Sequence, residues 1–508
     1  MFNFNRTCPR GAQFDAELNS KVSPTQSSIM ARLLVLILLV VVAPHAANSQ
    51  VLYGSLTGNV TDQKGATVPG AKVEARNVGT GATKEKITDE SGGYQFNDLQ
   101  PGVYNVTYSL SSFKTLIQEN VSVVANSLRR LDVQLEVADV KETVVVTQDA
   151  LPLQTDRADV NTQIQASQIA DLPISSAGSG RNFQGLYRIT PGFSAVTEGV
   201  SSDGGNPQRS MTGNVNGNSM QANLTRIDGA SNAYIWLPFN TAYVPPTESI
   251  ESVNIVTNSY DAEQGNANGA AVNVVTKSGT NQFHGSAFEF HTDNALKALN
   301  RFNPVGQRKP KYILNQFGGA LGGPIYVPKF GEGGPSAWSG KNKLFFFTDL
   351  EWTKRRQFAT RTVSAINPAG IFDASGNANL SAAIPAGTDC NVTRVAGCVF
   401  DPNTGNANGT GRLAFPGNII PANRIDPAAK LMLGRIKPSG FINNQGVTAT
   451  NNYISAGSAS LDRRTFDVKI NYVPNERSTI FGRYSRSDAL LFDPPTLGDA
   501  MGGATGGG

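Results

Sequence analysis

The chain has 508 residues, of which 39% are apolar and 16% charged, with 43 basic against 39 acidic side chains and a formal charge of +4. That length calls for two or three domains, and the near balance of charge, with no basic block, excludes nucleic acid as the main partner. Glycine reaches 52 residues, about a tenth of the chain against an average near 7%, and with abundant Asn, Ser and Thr it points to short strands, turns and long polar loops.

Leu33 to Ala43 reads LLVLILLVVVA, behind Met30-Ala31-Arg32 and ahead of His45-Ala-Ala-Asn-Ser49. About a dozen apolar residues fall short of the roughly 20 that a helix needs to cross a bilayer. A basic start, an apolar centre and small residues after it are the parts of a secretory signal. Ala47 and Ser49 place cleavage before Gln50. The 29 residues ahead of Met30 are unlike a signal, which makes Met30 a second candidate start; the competing reading is an uncleaved anchor. Cleavage removes Cys8 and leaves Cys390 and Cys398, which an oxidising compartment would let close into a small disulfide loop. Two thiols without nearby histidines make an incomplete zinc set, so no metal site is expected.

From Val51 to Val137 the pattern is strand, turn, strand. Tyr104, Val106, Tyr108 and Leu110 alternate with polar residues, and so do Leu131, Val133, Leu135 and Val137. Period two with one apolar face is a half-buried antiparallel strand. Asp62-Gln-Lys-Gly65, Asp89-Glu-Ser-Gly-Gly93 and Pro101-Gly102 supply turns at the spacing of a small sandwich. The stretches GSLTGNVTDQKGATVPGAKVEARN and TDESGGYQFNDLQPGVYNVTYS resemble carboxypeptidase regulatory-like domains, which implies a transthyretin-like β-sandwich over 50–138 and a non-catalytic accessory module.

Next comes KETVVVTQD, from Lys141 to Asp149. Its β-branched residues favour an extended backbone that can add as a strand to a partner's sheet edge. It resembles a TonB box, which assigns Glu142, Thr143, Val144, Val145, Val146 and Thr147 to a TonB C-terminal domain, within a linker over 139–158. The same valines also suit a last strand of the sandwich or an ordinary linker.

Residues 159–278 are mixed and glycine-rich. The blocks IADLPISSAGSGRNFQGLYRITPGF, LTRIDGAS and ESIESVNIVTNSYDAEQGNANGAAVNVVTKSGT resemble, in order, the plug of TonB-dependent receptors of the Oar-like kind. An α+β plug is implied, with Arg181, Asn182, Phe183, Arg226, Asp228 and Gly229 as its candidate residues. Charged ones such as Arg181, Arg226, Asp228 and Asp261 would line a ligand path, or simply solvate the plug surface or pair with a barrel wall.

Beyond 278 the alternation changes style. Phe288 and Phe290 oppose Ala287, Glu289 and His291; Leu344, Phe346, Leu350 and Trp352 oppose Phe345, Phe347, Asp349 and Glu351; Phe466, Val468, Ile470 and Tyr472 oppose Thr465, Asp467, Lys469 and Asn471. Apolar and aromatic residues on one face and charges on the other suit a barrel strand with lipid outside and the charges in its lumen. A soluble sandwich alternates in the same way, and it is the position after a plug that favours a barrel. Residues 360–460 read as long loops. A plugged barrel has about 22 strands, which use about 220 residues before any loop, so residues 279–508 hold about six and the barrel is expected to be incomplete.

No catalytic set is present, and no enzyme is expected. His284 and His291 differ by an odd number, so on one strand they face opposite sides. There is no nucleophile elbow and no P-loop. The stretch from Asp401 to Arg412 fails the EF-hand pattern, with Asn406 at its sixth position and Arg412 at its twelfth. The sequence calls for no cofactor. The fold expected is mainly β: sandwich, plug, then the first strands of a barrel. The resemblance implies a receptor in the outer membrane, with sandwich and box in the periplasm, for an unidentified small or oligomeric ligand. The rival class is a secreted or surface-attached adhesion module that binds carbohydrate or protein without transport. The leader yields the first prediction: N-terminal sequencing of exported protein should begin at Gln50 or within a few residues, and mature material that retains Met30 would defeat it.

Overall fold

In the computed structural model, residues 53–497 are described, except 138–142, 148–157, 173, 177–179, 195–196, 199–209, 235–236, 261–263, 266, 300–308, 329–336, 366–367, 437–451 and 476–477. The leader, Glu142 and Asp261 therefore lie outside the described residues. Strand dominates the rest, in three successive groups.

The first is a sandwich. Strands β1 (Gly54–Asp62), β4 (Gly93–Leu99), β7 (Leu128–Arg130) and β8 (Val133–Leu135) form one sheet around β1, which β7 and β8 join in parallel. The other sheet runs β3 (Thr83–Ile87), β2 (Lys72–Asn77), β5 (Gly102–Ser109), β6 (Thr115–Val123) and β9 (Thr143–Thr147). The inward residues of both sheets make one apolar core that includes Leu56, Val60, Phe96, Val106, Tyr108, Leu131 and Leu135. Two polar atoms are buried with it and are satisfied: the hydroxyls of Tyr94 and Tyr108 meet at 2.7 Å, and that of Tyr94 donates to the Leu131 carbonyl. Burial pushes both phenols above their usual pKa. The turns read from Asp62 and Asp89 are present, each carboxylate accepting backbone N–H groups two and four residues on. Gly58 is required by contact, since a Cβ there would lie 1.9 Å from the Leu131 oxygen.

Within the stretch 139–158, read as a linker or as a last strand of the sandwich, the described residues Thr143–Thr147 take the second course: strand β9 pairs with β6, in parallel, from Thr115–Thr143 to Glu119–Thr147. A β-branched stretch beside an open sheet edge satisfies its backbone by joining it.

The second group has its own core, which includes Ile164, Ile169, Phe183, Leu186, Tyr187, Ile227, Val253, Ile255, Val272 and Val274. Its strands are β10 (Val160–Gln165), β11 (Leu224–Ile227), β12 (Ala230–Ser231), β13 (Ile250–Asn258) and β14 (Ala271–Thr276), in the sheet order β10-β13-β14-β11-β12. Helix α1 (Ala166–Asp171) and a 3-10 segment, Phe183–Ile189, lie beside it. Strand β14 is buried along its whole length, the run expected of a strand covered on both faces.

The third group is one antiparallel sheet in chain order: β15 (His284–Asp293), β16 (Tyr312–Pro324), β17 (Leu344–Val363), β18 (Tyr453–Asn475) and β19 (Ser478–Phe492). Strands β17 and β18 have 20 and 23 residues, far beyond the 5–6 of an average strand. On β17, Phe345, Phe347, Asp349, Glu351, Thr353 and Arg355 are buried against the second group; on β18, Arg463, Thr465, Asp467, Lys469 and Asn471 are. Ile470 and Tyr472 on the opposite face are more than two-fifths exposed.

Strand β15 departs from the expected facing. Phe290 pairs with Gln316, Gln316 with Thr353 and Thr353 with Arg463, so Phe288 and Phe290 share the inward, charged face, while Glu289 and His291 point outward. Period two fixes which residues share a face but not which face turns inward. Here the Arg181 guanidinium, 4.3 Å from the Phe290 ring centre, holds the ring inward by a cation–π contact.

A sandwich with a core of its own should fold alone. Residues 50–138 expressed separately are expected to unfold in one cooperative thermal transition, and Leu56→Ala in that fragment to cost about 2–5 kcal/mol by urea denaturation. A fragment without a cooperative transition would refute this.

Candidate functional site

The seam between the second group and the inward face of the third carries the densest buried polar chemistry. Its centre is Asp228. Asp228 and Gly229 are the two loop residues of the β11–β12 hairpin, with φ of 46° and 80°. An Asp-Gly pair in this conformation makes the tight turn that matches strand twist, and it aims the aspartate away from its own sheet. The carboxylate accepts from the Thr276 backbone N–H at 3.0 Å and from the Thr276 hydroxyl at 2.6 Å. It also pairs with two cations of the facing wall, Lys469 Nζ at 3.1 Å and Arg483 Nε at 3.4 Å. Lys469 donates further to the Thr276 carbonyl at 3.0 Å. The Asp228 side chain is 4% exposed and that of Lys469 8%, so each charge is largely withdrawn from solvent and depends on the other.

A second contact lies one step along the same face. The Tyr243 hydroxyl donates to Asp467, and so does the Ser485 hydroxyl. Asp467 stands directly across from Asp349 in the register, a like-charged pair that is unfavourable without such donors nearby. Burial and the Asp467 charge together push the Tyr243 phenol up, which keeps it a neutral donor.

The third contact belongs to Arg181. Its backbone N–H donates to Gln316 Oε1 at 2.7 Å, and Gln316 Nε2 donates to Glu351 at 2.8 Å. The Arg463 guanidinium, 3.8 Å from Glu351, also donates to the Thr353 hydroxyl. Gly180 permits the approach, since a Cβ there would lie 2.5 Å from Gln316 Oε1.

Of the six residues singled out by sequence in this region, Arg181, Asp228 and Gly229 thus build the seam. Asn182 caps the 3-10 segment through Gln184 N–H, Phe183 sits in the core edge-on to Tyr187, and Arg226 donates to the Gly265 carbonyl. Sequence reasoning passed over Tyr243, Gln316, Arg463 and Arg483. Only Arg463, at two-residue spacing from Thr465, had a legible signal.

The sandwich meets this assembly from one end. Asn254 of β13 donates to the Ala125 and Asn126 carbonyls, and Asn281 bonds to Gly79, Thr80 and Asn342. A cavity of about 340 Å³ lies there, lined among others by Tyr53, Gln100, Asp228, Glu251, Lys469 and Phe481. Burial raises the Glu251 carboxyl above the usual range, with Lys277 and Lys469 working against the shift. In the box-like segment, Val145 and Val146 are 54% and 37% exposed. Cys390 and Cys398 are joined by a disulfide, with Cα atoms 5.7 Å apart, in the long connection between β17 and β18. No cluster of His, Cys, Asp and Glu suited to a metal ion occurs among the described residues.

Residues 275–508 match the outer membrane beta barrel domain, and residues 55–136 match the carboxypeptidase regulatory-like domain. Over 289 residues, 55% of this chain, the sequence is 26% identical to the TonB-dependent transporter Oar of Myxococcus xanthus, and it spans 25% of that protein's length. Among solved structures, a ferric enterobactin receptor of Pseudomonas aeruginosa covers 66% of this chain at 14% identity and a TM-score of 0.32, with 34% of the receptor covered. The siderophore receptor PirA of Acinetobacter baumannii covers 66% at 12% identity and a TM-score of 0.31, with 32% of it covered.

The seam makes an asymmetric prediction. Asp228→Asn strands two buried cations and should cost about 3–5 kcal/mol, whereas Lys469→Met leaves Arg483 in place and should cost clearly less. Urea denaturation of both variants and of the pair measures this. Equal, small effects would show that the contacts carry no stability.

Proposed function

We propose that this chain, a homologue of the Oar-like TonB-dependent transporters with a carboxypeptidase regulatory-like domain and an outer-membrane β-barrel domain, supplies the sandwich, plug and barrel-wall segments of an outer-membrane receptor. The supporting observation is the wall itself: a sheet with a buried charged face, closed by a glycine-rich unit whose Asp228 neutralises it. The second group is the plug, and the inward face is the lumen.

The outer face suits lipid. From Leu344 to Trp352 on β17, and from Phe466 to Tyr472 on β18, outward positions are aromatic or aliphatic except Thr348. Nine residues is the length that a tilted strand needs to cross the hydrocarbon layer, about 9–11. At Trp352, which stacks on Phe317 and stands across from Arg464, charge begins, and beyond it the outward residues become Lys354, Arg356 and Asp462. An aromatic pair at the boundary, followed by charge, is the girdle and rim of such a wall.

With the sandwich in the periplasm, as the resemblance implies, this reading turns the short β18–β19 connection, which shares the sandwich's end of the sheet, to the periplasm and the long disulfide-bearing connection outward. In this reading Glu142–Thr147 engages a TonB C-terminal domain by strand addition, and the transported ligand is a small or oligomeric molecule captured from outside. Val145→Pro, which deletes a backbone donor, should abolish binding of a purified TonB C-terminal domain, and Val145→Thr should leave it within about twofold. Unchanged binding by the proline variant would reduce the segment to a spacer.

A further inference from the structure

We propose that the sandwich holds Thr143–Thr147 in reserve, so that strand β6 and the TonB-type partner compete for the same backbone. The inference rests on the coupling reading above and adds its regulation.

Strand β9 extends the second sheet of the sandwich at its edge, from beyond the matched domain. The regulatory-like domain match ends at residue 136, ahead of the strand. Every other junction in its sheet is antiparallel, and β6–β9 alone is parallel. The chain leaves the sandwich beside the start of β6, where Val137 bridges Phe113 and the Lys114 N–H donates to the Glu136 carbonyl at 2.8 Å. It returns beside the same strand at Thr143. A tether as short as residues 138–142 gives the docked strand an effective concentration on the order of millimolar.

The docking is also reversible in kind. It spans five residue pairs, parallel pairing is slightly weaker per residue, and no valine of the strand is fully buried, with Val145 54% exposed. A strand held this way is available for part of the time. A partner that needs the edge facing β6 then binds with an affinity reduced by the undocked fraction.

Three forms of the site are compared for binding to a purified TonB C-terminal domain: the full chain, a free peptide of residues 139–158, and the chain with a Gly/Ser insertion of about 20 residues after Ala138. Effective concentration falls roughly as the −3/2 power of tether length, so the insertion should lower docking by about tenfold and bring the chain close to the peptide. The unmodified chain should bind about tenfold more weakly than the peptide. Ile117 stands opposite Val145 in the register, and a chain carrying Ile117→Cys and Val145→Cys should lose binding when the two are joined by a short bismaleimide, but not before. Equal affinity of chain and peptide, or undiminished binding by the cross-linked chain, overturns the competition while leaving the coupling reading intact. A peptide that does not bind overturns the coupling reading and the competition with it.

Discussion

A charge taken out of water must meet its opposite, and the placement of Asp228 follows from that constraint. Strands β17 and β18 turn Arg463 and Lys469 inward together with Asp349, Glu351 and Asp467, and β19 adds Arg483. Such a face is not stable against an apolar surface, since an unpaired buried ion costs several kcal/mol. It requires a partner that brings polar groups to fixed points. The Asp-Gly hairpin does so with two residues, because only a tight turn presents a carboxylate beyond the edge of its own sheet. Thr276 completes the arrangement by bonding both the acid and the lysine, so the contact is held by the sheet of the second group and not by the hairpin alone.

Much of this architecture was legible in the sequence, and what was not has a physical reason. Alternation at Tyr104–Leu110 and Leu131–Val137 identified sandwich strands, because a two-layer domain leaves one face of each strand wet. Alternation at 344–352 and 465–472 likewise separated charged from apolar positions. It carries no sign, however: the outward face expected for Phe288 and Phe290 is the inward one, where Phe290 meets Arg181. The cue that decides the face is a cation far away in sequence, which periodicity does not contain. The valines of 143–147 announced an extended strand and left open whether the sandwich would take it up, since pairing with β6 depends on which edges lie open in the folded sandwich. Asp228-Gly229 was readable as a turn. Its pairing with Lys469, 241 positions on, was not.

A load applied along the chain at β9 would meet the elements of the second group in a fixed order. Strand β9 leads along the chain to β10, which is an edge strand of the second group's sheet and, among the described residues, pairs with β13 alone. The Asp228 contact sits on the far side of that sheet, on the hairpin that follows β11, with β13 and β14 between. An edge strand can leave while the remaining strands keep their own pairing, so load applied at β9 meets the β10–β13 ladder before it meets the buried ion cluster. The β10–β13 ladder and the Asp228 cluster thus lie at opposite sides of one sheet, the ladder at the side that the chain enters from β9 and the cluster at the side that meets β18 and β19.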